Sequence, residues 1–343
     1  MNKKLSLSAF VFISIFIVMW IISGFHTAAP DYTIYSNWYR ETSLVGLTQR
    51  FEIGYSLSML LGVKLGLSFE QFLAVFFAIG FVLIAKTIWE NCEYPSIVAI
   101  LYFIYPFFFD VVQIRNFMAV AIFLSGLKYL KEFNRKNFIK MCTLITLASC
   151  FHVTAIFYFL FLFSYIKSYK KITLIMFSFY AFGLVVYYIS PSLVSTFATH
   201  FGNELYAVWG SSSNKVIGYN IIAIVAIAIP YIYYTKIKKD EVLLNDNYMV
   251  KTIPILLVAV IALTVTSQAY RLFRNMSLVL YITFLNESFM ESNKKNVIRF
   301  NTAQLMFGIY AVFYSTFFHY KQLTGGMYEY VIKQILESNS LLK

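Results

Sequence analysis

An all-helical, polytopic membrane protein is the fold class this sequence predicts, and three observations carry it. Mean hydropathy is +0.68. Hydrophobic residues make up 59% of the 343 positions and charged residues only 13%, about half the share usual in soluble domains. Apolar runs recur along the whole length, and ~20 such residues suffice to cross hydrocarbon. Residues 1–343 therefore read as a single integral membrane domain, with no soluble module long enough to fold alone.

The elements follow in order. Lys3 and Lys4 precede an apolar run over residues 5–25, which reads as an uncleaved first helix with its N-terminus in the cytoplasm. Further spans are predicted over residues 69–89, 96–109, 112–130, 172–190, 216–235, 252–270, 272–290 and 303–320, making about nine in all. Residues 53–66 are short and contain Gly54, Gly62 and Lys64; residues 141–163 are interrupted in character. Basic residues cluster at 128–140, 167–171, 236–251 and 294–299, and the positive-inside rule puts all four clusters in the cytoplasm.

Loop parity then settles the two ambiguous segments. Residues 26–52 follow the first helix and so lie outside, while residues 128–140 lie inside; an odd number of crossings has to join them. Residues 53–66 become a re-entrant or interfacial helix at the outer face. Both flanks of 141–163 are basic, so this segment enters and returns, with Phe151 and His152 near its bend. Residues 191–215 form an outer loop, and the tail 321–343 is also outside. Under this assignment Asp31, Glu52, Asp110, Arg115, Arg271 and Arg274 all gather at the outer face.

The net charge of +12 does not point to nucleic acid, because the lysines sit in short loops and form no basic stripe or known motif. Cys92, Cys142 and Cys150 are isolated and lack the spacing of disulfide frameworks or zinc sites. No P-loop, Gly-rich nucleotide loop or G-x-S-x-G occurs, so ATP hydrolysis and serine-hydrolase chemistry lack support. No metal or cofactor is expected.

The chemistry-bearing residues are polar outliers in apolar surroundings. Arg115, in Gln113-Ile114-Arg115-Asn116, is a permanent cation between two apolar runs, where an arginine costs at least ~2.5–3.5 kcal/mol. Its planar fork suits a phosphate or diphosphate; the structural alternative is an ion pair with Asp110. Arg271 and Arg274, spaced i, i+3 at a helix start, can point the same way; the alternative is interfacial anchoring. His152 can act as base or hydrogen-bond donor near neutral pH, or simply pack against a carbonyl. Asp31 and Glu52 flank an aromatic, polar outer segment containing Tyr32 and Tyr35, a composition suited to sugars or to an interfacial belt.

Taken in order, Asp31-Tyr32…Tyr35, Glu52-x-Gly54-Tyr55, Gln113-Ile114-Arg115-Asn116-x-Met118-Ala119 and Ala148-Ser149-x-Phe151-His152-x-Thr154-Ala155 resemble the EpsG family of Wzy-like bacterial polysaccharide polymerases. The resemblance is strong over the first half of the chain and rests on helix layout and the outward arginines in the second. It implies a C-type glycosyltransferase working on undecaprenyl-diphosphate-linked repeat units of capsule, exopolysaccharide or O-antigen, at the outer side of the cytoplasmic membrane. Arg115 with Arg271 or Arg274 would hold the diphosphate. His152, Asp31 or Glu52 would serve the acceptor hydroxyl, and Tyr32, Tyr35, Tyr55, Gln113 and Asn116 would contact substrate. Membrane lipid, a chain-length regulator and a flippase are the implied partners. A lipid-linked-sugar flippase or transporter would show repeated halves with broken helices, and no convincing repeat is present. A polysaccharide acyltransferase would present a histidine for acyl transfer, whereas His152 is one member of a cationic set.

Overall fold

The computed structural model describes residues 3–47, 50–189, 213–260, 270–290 and 328–342, and every regular element among them is helical. Most of the expected outer loop at 191–215 and the expected span at 303–320 lie outside the described residues. Three described helices are long and apolar enough to cross a bilayer: Leu7–Gly24, Phe69–Asn91 and Tyr169–Val186. The chain divides into two compact units. One comprises residues 1–128, 139–156 and 311–343; the other comprises residues 129–138 and 157–310.

In the first unit, α1 (Lys3–Gly24) is apolar on both faces. Phe12, Phe16 and Met19 are buried while Leu7, Phe10 and Ile13 are exposed, as suits a helix between protein and lipid. Residues 26–52, expected as a loop, instead contain α2 (Tyr32–Val45). Tyr35, Tyr39 and Thr42 form its buried stripe at i, i+4 and i+7, a helical period that the tyrosine-rich composition hid. Next come α3 (Ile53–Lys64) and α4 (Phe69–Asn91). A capping box starts α4: Ser68 Oγ accepts from the Gln71 N–H at 3.2 Å, and Gln71 Oε1 accepts from the Ser68 N–H at 2.9 Å. The Trp20 indole donates to the Ala74 carbonyl at 2.8 Å and ties α1 to α4.

The spans expected over 96–109 and 112–130 are shorter than predicted. They resolve into α5 (Pro95–Ile104), α6 (Phe107–Val112) and α7 (Ile114–Ser125). At ~1.5 Å per residue, α5 and α7 rise only ~15 and ~18 Å, against a hydrocarbon core of ~30 Å. Pro106 is one cause: the residue before it, Tyr105, is driven into extended backbone and the helix stops. Gln113 is the other, serving as C-cap of α6 and N-cap of α7. The α4–α7 contact is close, since a Cβ on Gly80 would overlap the Phe117 ring. α8 (Arg135–Ser149) ends before a break at 150–152, and a 3₁₀ helix, Val153–Tyr165, follows. The predicted interruption thus falls at Phe151–His152.

The second unit contains α9 (Tyr169–Ile189), α10 (Ser213–Ile232) with a π-helical turn at Tyr233–Lys238, α11 (Glu241–Asp246) and α12 (Tyr248–Ile255). It closes with α13 (Tyr270–Asn275) and α14 (Ser277–Met290). α12 packs on α9, α10 and α14. The expected span at 252–270 turns at Leu256 and is helical again over 257–260; residues 261–269 lie outside the described residues. The span expected at 272–290 is broken at Met276 into α13 and α14.

The tail returns to the first unit through a π-helical turn (Tyr328–Ile332) and α15 (Lys333–Glu337). The Asn339 amide donates to the Ile21 and Ile22 carbonyls at 2.8 and 3.3 Å, and the Ser340 N–H donates to the Phe25 carbonyl at 2.9 Å. These donors serve carbonyls at the end of α1 that have no partner inside the helix. Beside them His26 is buried, its Nδ1 2.8 Å from the Ser23 carbonyl. Burial lowers its pKa to about 4 although the Ser23 bond opposes the shift.

Candidate active site

Glu52 occupies the cap position of α3 yet makes no side-chain bond to that helix. Its carboxylate reaches elsewhere. Oε1 accepts from the Val153 N–H at 3.1 Å, and Oε2 pairs with Arg115 Nη1. Three stretches distant in sequence therefore meet at one carboxylate: the start of α3, the start of α7 and the break after α8. Gly54 makes the approach sterically feasible. Its N–H donates to the Cys150 carbonyl at 2.7 Å, and a Cβ there would sit 2.7 Å from that same oxygen. Residue 54 is a glycine because backbone meets backbone at this point.

Arg115 lies in the first turn of α7. Its Nε donates to Tyr35 Oη at 3.3 Å, and its guanidinium carbon stands 4.7 Å from the Phe51 ring centroid, within cation–π range. Phe51, Tyr35 and Tyr55 pack mutually, with centroids 5.4–5.6 Å apart. Tyr55 is fully buried, and its hydroxyl has no hydrogen-bond partner among the described residues. The rings fix the plane of the guanidinium. Nε and part of Nη1 are used, which leaves the Nη2 donors for a ligand. The Arg115 and Glu52 side chains are 24% and 20% exposed, so the pair is reachable from outside the protein.

His152 is buried in the break, 6% exposed. Its Nδ1 accepts from the Thr154 N–H at 3.3 Å and lies 2.7 Å from Thr154 Oγ1. A backbone N–H can only donate, so Nδ1 presents a lone pair and a neutral ring carries its proton on Nε2.

The predicted residues divide accordingly. Glu52, Arg115, Tyr35 and Tyr55 are in mutual contact, and His152 adjoins Val153, which binds Glu52. Asp31 occupies the N-cap position of α2 without a side-chain cap bond, one turn before Tyr35, whose N–H donates to the Asp31 carbonyl at 3.1 Å. Tyr32 turns away, donating to Glu70 at 2.9 Å. Burial, reinforced by Glu70, holds its phenol well above the usual range, so it remains a donor. Gln113 is half-buried beside Arg115, and Asn116 is buried. Arg271 and Arg274 belong to the second unit, where Arg274 is 3% exposed. The alternative ion pair of Arg115 with Asp110 is replaced by the Glu52 pair. Asp110 is buried in α6 and accepts from the Tyr102 hydroxyl at 2.6 Å.

Phe51, Val153 and Thr154 are site residues that sequence reasoning passed over as participants. Phe51 directly precedes Glu52, and Thr154 follows His152 by two positions, so adjacency to a motif was the available signal. Val153 acts through its backbone and leaves no side-chain signal. Among the described residues, no group of His, Cys, Asp and Glu is arranged to hold a metal ion.

No curated protein and no solved structure matches the chain. The EpsG family model matches residues 9–332, nearly its whole length. The match includes every residue of the Glu52–Arg115–His152 arrangement and extends through the second half, where the motifs alone carried less. The chain belongs to the EpsG family of Wzy-like polysaccharide polymerases, membrane proteins of surface polysaccharide synthesis.

Proposed function

We propose that the chain polymerises undecaprenyl-diphosphate-linked repeat units at the outer face of the cytoplasmic membrane, as a C-type glycosyltransferase. One observation above all supports this reading: a partly exposed arginine with donors to spare stands against a carboxylate held by a backbone N–H. Glycosyl transfer from a lipid diphosphate needs those two functions side by side. The acceptor hydroxyl attacks the anomeric carbon of the donor chain. Glu52 takes the hydroxyl proton, and the bond from the anomeric carbon to the phosphate oxygen breaks. Arg115 meets the negative charge that develops on the departing diphosphate, where such contacts act most strongly. His152, protonated on Nε2, donates to a phosphate or sugar oxygen. Tyr35 and Phe51 orient the guanidinium, and Asp31, Tyr55, Gln113 and Asn116 complete the surroundings. Arg271 and Arg274 enter as further diphosphate ligands on their i, i+3 spacing alone.

Deleting the chain in its host and analysing the lipid-linked glycans tests the reading. The expected outcome is single, unpolymerised repeats on the outer side of the membrane. Repeats held on the cytoplasmic side would make the chain a flippase instead.

A further inference from the structure

We infer that Glu52 and Arg115 form a latch opened by the donor. Without donor, the guanidinium covers the carboxylate oxygen that has to take the proton; a diphosphate arriving at Arg115 uncovers it. The inference rests on the proposed role of Arg115 and adds a rule for when the site becomes active.

The geometry points to exchange rather than to a fixed ion pair. Glu52 has two independent anchors, the Val153 N–H on Oε1 and Arg115 on Oε2. When Arg115 lets go, the backbone bond still holds the carboxylate in place, with Oε2 now turned to the site. Arg115 is likewise held independently, by Tyr35 Oη and the Phe51 face. Neither partner depends on the other for its position. A diphosphate carries more charge than one carboxylate and accepts two parallel bonds from the fork, so it competes well for the guanidinium. Both side chains are partly exposed, so after exchange the Glu52 carboxylate keeps the Val153 N–H and access to solvent. The acceptor hydroxyl is then deprotonated only when an electrophile is present: its proton goes to Oε2, and the electron pair of the broken bond leaves with the diphosphate.

Binding of farnesyl diphosphate to the full-length protein in detergent tests the latch. Removing the internal competitor in Glu52→Gln is expected to tighten binding about tenfold, the effect of one modest charge-assisted contact. Glu52→Asp, which keeps the charge on a shorter arm, should tighten it about threefold by weakening the same contact, and carries the test if the Gln variant does not fold. In an Arg115→Ala background the Glu52 substitution should change nothing, because the coupling runs through that residue. Unchanged or weaker binding in both Glu52 variants would overturn the latch and make Glu52 a positioning residue for Arg115. Equal binding by wild type and Arg115→Ala would instead overturn the diphosphate role of Arg115, and the latch with it.

Discussion

Arg115 lies in the first turn of α7 and Arg274 in the last turn of α13, and the surroundings of these two guanidinium groups differ. Arg115 keeps about a quarter of its side chain exposed and shares a carboxylate, a phenol and an aromatic face. Arg274 is 3% exposed, within a helix of six residues whose Asn275 donates to Tyr158 at 2.8 Å. A partly exposed cation can trade one anion for another. A buried one is tied to its packing, because moving it leaves the polar groups around it buried and uncompensated. Spacing and charge made the two arginines look alike in the sequence; access to solvent is what distinguishes them in the structure.

The largest effect expected from this contrast is at Arg115. Arg115→Lys keeps the charge but loses the fork, and polymerisation should fall on the order of 10²-fold at normal protein level. Polymer length and lipid-linked single repeats measure it; full activity in that variant would remove Arg115 from the chemistry. Next comes His152→Gln, which retains an N–H donor but no titratable ring. A roughly tenfold loss is expected if His152 donates, while a loss at the upper end of the ~10²–10⁴-fold range of proton-transfer groups would make it the base. Because Arg274 is buried, Arg274→Lys should act on stability whether or not it also meets the diphosphate, lowering the thermal midpoint by an amount equivalent to ~1–3 kcal/mol, as for other buried polar groups left badly paired. Normal stability with polymerisation lost would move Arg274 to the diphosphate-binding set.

A further effect in the first unit falls on stability alone and depends on pH. Burial keeps His26 neutral, with a pKa lowered from 6.5 to about 4. Below pH 6.5 the unfolded chain binds a proton that the folded chain refuses, so the contribution is complete above about 6.5 and is lost as the pH falls toward about 4. Thermal unfolding in detergent across that window should show the decline, and His26→Asn should flatten it. An identical pH profile in the variant would assign the acid sensitivity to other groups.

Much of the architecture was legible because apolar length is a local property: α1, α4 and α9 were readable from their own residues. The helices around the site were not. Pro106 and Gln113 divide what hydropathy joins, since a sliding apolar average does not register a missing N–H or a shared cap. In the same way the tyrosine-rich stretch before Glu52 read as a loop although Tyr35, Tyr39 and Thr42 keep a helical period. At the candidate site, residue types and order singled out Glu52, Arg115 and His152, which the fold brings near one another. Their partners stayed hidden, because the Glu52–Arg115 pair joins residues 63 positions apart and the Glu52–Val153 bond joins residues 101 apart. Asp110, only five positions from Arg115, was the nearer anion in sequence, but helix geometry directs it to Tyr102.

The Asn339 contact with α1 has a consequence in time. The first helix made receives donors for its final carbonyls from a residue 318 positions later. At ~5–20 residues per second, synthesis takes roughly 15–60 s to reach that residue. For that interval the end of α1 has to draw its hydrogen bonds from water or lipid headgroups, and the first unit is finished only when the tail folds back. Its assembly is therefore paced by translation, and a stall anywhere along the intervening chain leaves the earliest helix unsealed.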